Sequence, residues 1–201
     1  TRDEKQAFSE TIEKALKVLL ALTLPIAAVL GLGLKPLLGL AFDFGTEGTD
    51  LLSWVVAAFM LGLFGHSLKE VSARAFYARQ NAWIPLITAG GNALLYAVLG
   101  ALLYKPLGAP GIALTDSIVF SLEAVVLLIL LVRVAGLNIR GGSSMLRAFM
   151  AFLTAGLITL LGLRLLEPRV HPLLSGTIPM LLGFIASLPW IWREIKLLAR
   201  L

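Results

Sequence analysis

Cysteine is absent from all 201 residues. That excludes a disulfide framework, a thiolate nucleophile and any metal site built on thiolates. Charge is scarce too, with 14% Asp, Glu, Lys and Arg against 58% apolar residues and a mean hydropathy of +0.90. An ordinary soluble domain carries about 25% charged residues. So much apolar material exceeds what a core of this size takes up, and lipid must be the solvent for most of the chain. The only two histidines, His66 and His171, are isolated, and no HExxH, glycine-rich phosphate loop or GxSxG occurs. These absences count against an enzyme, an ATP-driven machine, a metal site and a bound cofactor. Bases outnumber acids 17 to 12, but they stand at the ends of apolar runs and form no dense stripe. That is a topology signal and speaks against a nucleic-acid partner.

Six apolar runs lie near 16–40, 51–68, 84–104, 111–132, 146–163 and 173–192. They approach or reach the roughly 20 residues that carry a helix across about 30 Å of hydrocarbon. None alternates as barrel strands do, so the expected fold is an all-α integral membrane protein with six transmembrane helices. Lys and Arg number four in 1–17, none in 41–50, three in 67–81 and one in 104–110. They continue with three in 133–147, two in 164–172 and three in 193–201. The alternation predicts cytosolic termini and cytosolic 67–81 and 133–147 loops, with Asp43, Glu47 and Asp50 outside. Thr1–Lys14 is polar and lacks the order of a signal peptide, so 1–15 reads as an internal cut or a cytosolic connector.

Within the runs, polar and helix-breaking residues are the informative ones. Pro25 removes a backbone donor mid-span and predicts a kink, either a hinge or a packing feature. His66, Lys69, Glu70 and Arg74 after the second run suggest that its helix continues into the cytosol, with His66 interfacial or proton-sensing. Ala89, Ala93, Ala97 and Ala101, with Gly90, Gly91 and Gly100 beside them, form a small-residue stripe that permits close helix approach. Asn92 and Tyr96 lie one turn apart and either line a cavity or bond a neighbouring helix. Asp116 and Glu123, seven apart, share a face of the fourth run. An ionised carboxylate at the depth of Glu123 costs about 2.5–3.5 kcal/mol, so it should face the bundle interior or a wet cavity. There it would bind a proton, a cation or a polar headgroup, or serve as a hydrogen-bonded structural residue. Arg147 and Arg164 bound a short fifth run. The sixth holds Pro179 and Pro189, and Trp190 and Trp192 beside Arg193 and Lys196 read as an interfacial anchor. The stretch from Trp190 onward is expected to lie as an amphipathic end at the membrane surface.

Between the second and third runs stands a basic, aromatic, loop-like segment, Arg74-Ala75-Phe76-Tyr77-Ala78-Arg79-Gln80-Asn81, with Pro85 shortly after. This pattern resembles the hallmark of the MurJ/MviN family of lipid II flippases, within the wider superfamily of multidrug and oligosaccharidyl-lipid exporters. Weaker features agree: the Phe8 to Leu16 lead-in, Thr23-Leu24-Pro25, Phe42-x-x-Gly45, and Gly111-Ile112-Ala113-Leu114 before Ser117. The likeness covers about Phe8 to Val132.

The resemblance implies a fourteen-helix fold of two lobes around a cationic cavity, of which this chain resembles helices nine to fourteen. On that reading 16–132 holds four helices of the second lobe, and 133–145 is a cytosolic loop. Residues 146–192 are two extra helices forming a groove for the polyprenyl tail, and 193–201 is a cytosolic tail. The implied partners are a polyprenyl-linked glycan lipid, the bacterial cytoplasmic membrane and an N-terminal lobe in the same or a separate chain. Candidate headgroup residues are Arg74, Arg79, Glu123, Asn92 and Tyr96, with Pro25 as hinge. The sequence departs from the family at Asn81, commonly Asp, and at Tyr96, usually Asn. Gly100 stands where some members have a cation-binding carboxylate, which counts against sodium coupling there. Two alternatives stay open: a flippase for another polyprenyl-linked glycan, and a six-helix scaffold or partner subunit without transport of its own.

Overall fold

The computed structural model describes residues 2–135, 142–166 and 170–198, and every regular element among them is an α-helix. In chain order these are α1 (Arg2–Gly33), α2 (Lys35–Phe42), α3 (Gly45–Ala78), α4 (Trp83–Leu107), α5 (Ala109–Ala135), α6 (Gly142–Leu166) and α7 (Pro172–Leu198). All except the short α2 are long and apolar enough to cross a membrane. Helices are what the composition demands, because in hydrocarbon each backbone donor and acceptor must be paired within its own segment. The centre of the 133–145 loop, residues 167–169 of the following connection and the end of the tail lie outside the described residues.

Several boundaries differ from the sequence reading. The run 16–40 is two helices, because Pro36 sits in the first turn of α2 and Leu34 separates it from α1. Proline is at home in a first turn and awkward in a helix interior. The acidic 41–50 segment is mostly helical: only Asp43 and Phe44 separate α2 from α3, with Asp43 and Gly45 at positive φ of 47° and 69°. Asp50 then pairs with Lys35 at 2.5 Å across the turn. At the other end the polar lead-in is helical and continuous with the first span, burying Ile12 and Leu16. The Arg74–Ala78 stretch is helical as well, and the chain turns only after it. The segment from Trp190 continues α7 to Leu198, with Ile191 fully buried against Ala21 and Ala151.

α3 and α5 run parallel and form the most extensive interface. Gly62 and Gly65 make it possible. A Cβ on Gly62 would lie 2.6 Å from Ser117 Cα, and one on Gly65 2.7 Å from Ser121 Cα. Ser117 Oγ donates to the Ala58 carbonyl at 2.5 Å, tying the helices at their closest approach. The small-residue stripe on α4 does not pack in this way. Ala89, Gly90, Gly91, Ala93, Ala97 and Ala101 are exposed, and α4 rests mainly on α5, with little contact to α3.

α1 joins two halves of the bundle, contacting α3 on one side and the α6–α7 pair on the other. Phe76, Leu127 and Leu131, all fully buried, close the α1–α3–α5 core with Ile12 and Leu16. Ala28, Val29 and Ala155 close the α1–α6 contact. Pro25 is fully buried inside a helix that continues on both sides of it.

Candidate functional site

Two helices meet in parallel register, with a basic face on one turned toward an acidic face on the other. On α3, His66 and Lys69 are three residues apart and so share a face. On α5, Asp116, Phe120 and Glu123 recur at four and three and share the face turned toward them. His66 Nε2 lies 2.6 Å from Asp116 Oδ2, and Lys69 Nζ lies 3.8 Å from Glu123 Oε2. Phe120 separates the pairs: the His66 ring stacks on it at 4.5 Å between centroids, and Lys69 Nζ sits 4.4 Å above its centre.

α4 completes the cluster. Asn92 Nδ2 donates to the same Glu123 oxygen that faces Lys69, while Asn92 Oδ1 is buried and unpartnered. Glu123 is the deepest of these groups, its side chain only 3% exposed. Its amide and ammonium partners answer how a carboxylate is tolerated at that depth, since an intramembrane charge persists by pairing. A cavity of about 220 Å³ adjoins it between α4 and α5, lined on one side by Thr88, Gly91 and Asn92 and on the other by Val119, Leu122 and Glu123.

Of the residues singled out from the sequence, the structure therefore unites Glu123 with Asn92. Tyr96, one turn along α4, is half-buried and does not line that cavity. Arg74 and Arg79 are five and ten residues beyond Lys69, about 8 and 15 Å further along the axis. Arg74 is 80% exposed and pairs with Glu70 at 3.8 Å. The Arg79 guanidinium sits 6.0 Å from the centre of the Phe8 ring. Lys69, His66 and Asp116 belong to the cluster, whereas from the sequence Lys69 reads only as part of a helix continuing into the cytosol and His66 as interfacial or proton-sensing. Their signal was the spacing: a basic pair at i, i+3 and an acidic pair at i, i+7, each on one helix face.

The basic aromatic segment has a precise local role. Asn81 N–H donates to the Phe76 carbonyl and Gln80 N–H to the Tyr77 carbonyl, at 3.0 and 2.9 Å. With Gln80 at φ 56°, this is a Schellman closure of α3. Asn81 Oδ1 then accepts from Ile84 N–H at 3.4 Å at the start of α4. Phe76 anchors the turn from inside the core, so much of the pattern is explained by ending one helix and starting the next.

A second buried ion pair lies between α6 and α7. Arg147 Nη2 donates to Glu194 Oε1 at 2.5 Å and to Ser144 Oγ at 3.1 Å. Among the described residues no three carboxylate, histidine or cysteine side chains converge as a metal site.

A model of the family described as "Lipid II flippase MurJ" matches residues 1–177. The chain belongs to the MurJ family. It is a multi-pass protein of the bacterial inner membrane. A probable lipid II flippase MurJ from Rhizobium meliloti (strain 1021) is 30% identical over 122 residues, covering 59% of this chain and 23% of that protein. One from Treponema pallidum (strain Nichols) is 24% identical over 135 residues, covering 66% and 26%. The fold is similar to a solved MurJ in an inward closed conformation, with TM-score 0.75 and 22% identity over 96% of this chain and 41% of that one. The chain thus spans about a quarter of the curated MurJ relatives it matches.

Proposed function

We propose that this chain is part of a flippase that carries a lipid-linked peptidoglycan precursor, lipid II, across the cytoplasmic membrane. The observation that supports this most is the family match over residues 1–177. The physical task is to move a large polar headgroup past hydrocarbon while its tail stays in lipid. By the positive-inside pattern both termini are cytosolic, which puts Arg74 and Arg79 at the cytosolic mouth, where guanidinium groups attract a pyrophosphate. Glu123, Asn92 and Tyr96 lie deeper along the path of the headgroup. An apolar cavity of about 560 Å³ between α1, α3, α5 and α6, walled by Leu24, Phe64, Phe149 and Phe152, suits the polyprenyl tail. The faces of α6 and α7 extend that tail surface. Pro25 is the hinge of α1, the helix that joins the two halves. The remaining helices of a two-lobed transporter come from the same or a separate polypeptide.

Native mass spectrometry of the protein as isolated from its own membranes tests the substrate. Lipid II retained in preference to another undecaprenyl-pyrophosphate sugar is the expected result. Preference for the other glycan would give the role to a different polyprenyl substrate, and retention of neither would favour a scaffold.

A further inference from the structure

The four charged groups between α3 and α5 form a closed account. Asp116 and Glu123 contribute two carboxylates and Lys69 one ammonium, so one further proton, shared with the His66 imidazole that faces Asp116, brings the set to neutrality. The elements packed around it supply no substitute. On α1, Glu13 and Lys17 pair with each other at 2.6 Å and no charged residue follows from Val18 to Gly33, while α4 carries only Lys105, in its last turn. On α2, Lys35 is paired with Asp50 at the far end of α3, and on α3 itself Glu70 pairs outward with Arg74. Arg133 stands in the last turn of α5, ten residues beyond Glu123.

We propose that His66 and Asp116, balanced by Lys69 and Glu123, form a proton-binding site within the membrane-spanning part of the chain. The atoms are specified by the geometry. Nε2 is the nitrogen held 2.6 Å from Asp116 Oδ2, so it keeps its hydrogen in both states and donates to the carboxylate. The proton that comes and goes is the one on Nδ1. It arrives from water, turns the imidazole into imidazolium, and leaves the Nε2–H bond to Asp116 in place. Two donor side chains are too few to enclose a metal cation, whose common geometries take four or more ligands, and Lys69 already fills the space beside Glu123.

His66 is the more open of the pair, with 38% of its side chain exposed against 17% for Asp116. None of the residues lining the apolar cavity on the α1 side belongs to the cluster. The site does not depend on which lipid is moved.

The test is side-chain 15N NMR of this 201-residue chain in nanodiscs, with His171→Gln so that His66 gives the only histidine signal among these residues. Between about pH 5 and about pH 8, the window in which histidine changes charge, Nε2 of His66 should stay protonated while Nδ1 gains and loses its proton. Asp116→Leu, which removes the acceptor, should abolish that fixed tautomer and leave the two nitrogens exchanging the hydrogen between them. Nitrogens that average together in the unmutated cluster, or an Nδ1 that never changes state, would overturn the proposal. So would a fixed tautomer that survives Asp116→Leu. The Asp116-containing spectrum decides the first two outcomes even where the Leu variant does not fold.

Discussion

Lys69 and Glu123 lie 3.8 Å apart on two parallel helices, 54 positions apart in sequence, and each makes the other's charge tolerable among apolar neighbours. Removing one partner from a buried ion pair leaves an uncompensated charge, whereas replacing both with apolar groups is often neutral. Glu123→Ala alone is therefore expected to destabilise the protein by about 3 kcal/mol, the low end of the range because Lys69 keeps partial exposure. The double variant Lys69→Met, Glu123→Leu should recover most of that loss. Thermal unfolding in detergent, followed by loss of the monodisperse gel-filtration peak, measures both. Equal losses in the single and double variants would show that the pair is not what holds these helices.

The α3–α5 contact makes an equally sharp prediction. Gly62→Val must push Ser117 away from a position with no slack, at a cost of about 1–3 kcal/mol for an overpacked interface. Gly90→Ala and Gly91→Ala meet open space within the described residues. In the isolated chain they should be neutral or stabilise by up to about 1 kcal/mol through helix propensity. The same unfolding assay ranks all three.

Gln80 is an L-residue held in the left-handed region by the Schellman closure. Gly is free of the steric penalty there, and a β-branched side chain is the least tolerated. Gln80→Gly should preserve or slightly raise stability, while Gln80→Val should lower it by about 1–2 kcal/mol. If Val were as stable as Gly, the turn would have to adopt another conformation.

Between α6 and α7, Glu194→Ala strands the Arg147 guanidinium among buried neighbours. A loss of about 3 kcal/mol is expected, with weakened protection from hydrogen exchange at the Arg147 end of α6. Exchanging the two residues, Arg147→Glu with Glu194→Arg, should restore part of it.

Composition and periodicity determined a good deal without any coordinates. The scarcity of charge and the length of the apolar runs dictate six spanning helices, because a lipid solvent admits few other backbones. A carboxylate inside such a run must have partners, so Glu123 was identifiable as a special position, and Asn92 stood out on similar grounds. The partners themselves were not legible. Lys69 looks like one more base at a helix end until parallel packing of α3 and α5 brings it level with Phe120 and Glu123. The small-residue stripe on α4 was visible in sequence, yet the glycines that admit a neighbour are Gly62 and Gly65, because small size permits close approach without selecting which helix makes it. Likewise Arg74 and Arg79 carry the family pattern but stand away from the buried cluster, since α3 continues helical past Lys69 and its rise per residue sets the distance. Local chemistry decides which segments are helices and which residues cannot be left alone. Only tertiary register decides which distant residue satisfies each one, because ion pairs and close contacts depend on positions that no single helix contains.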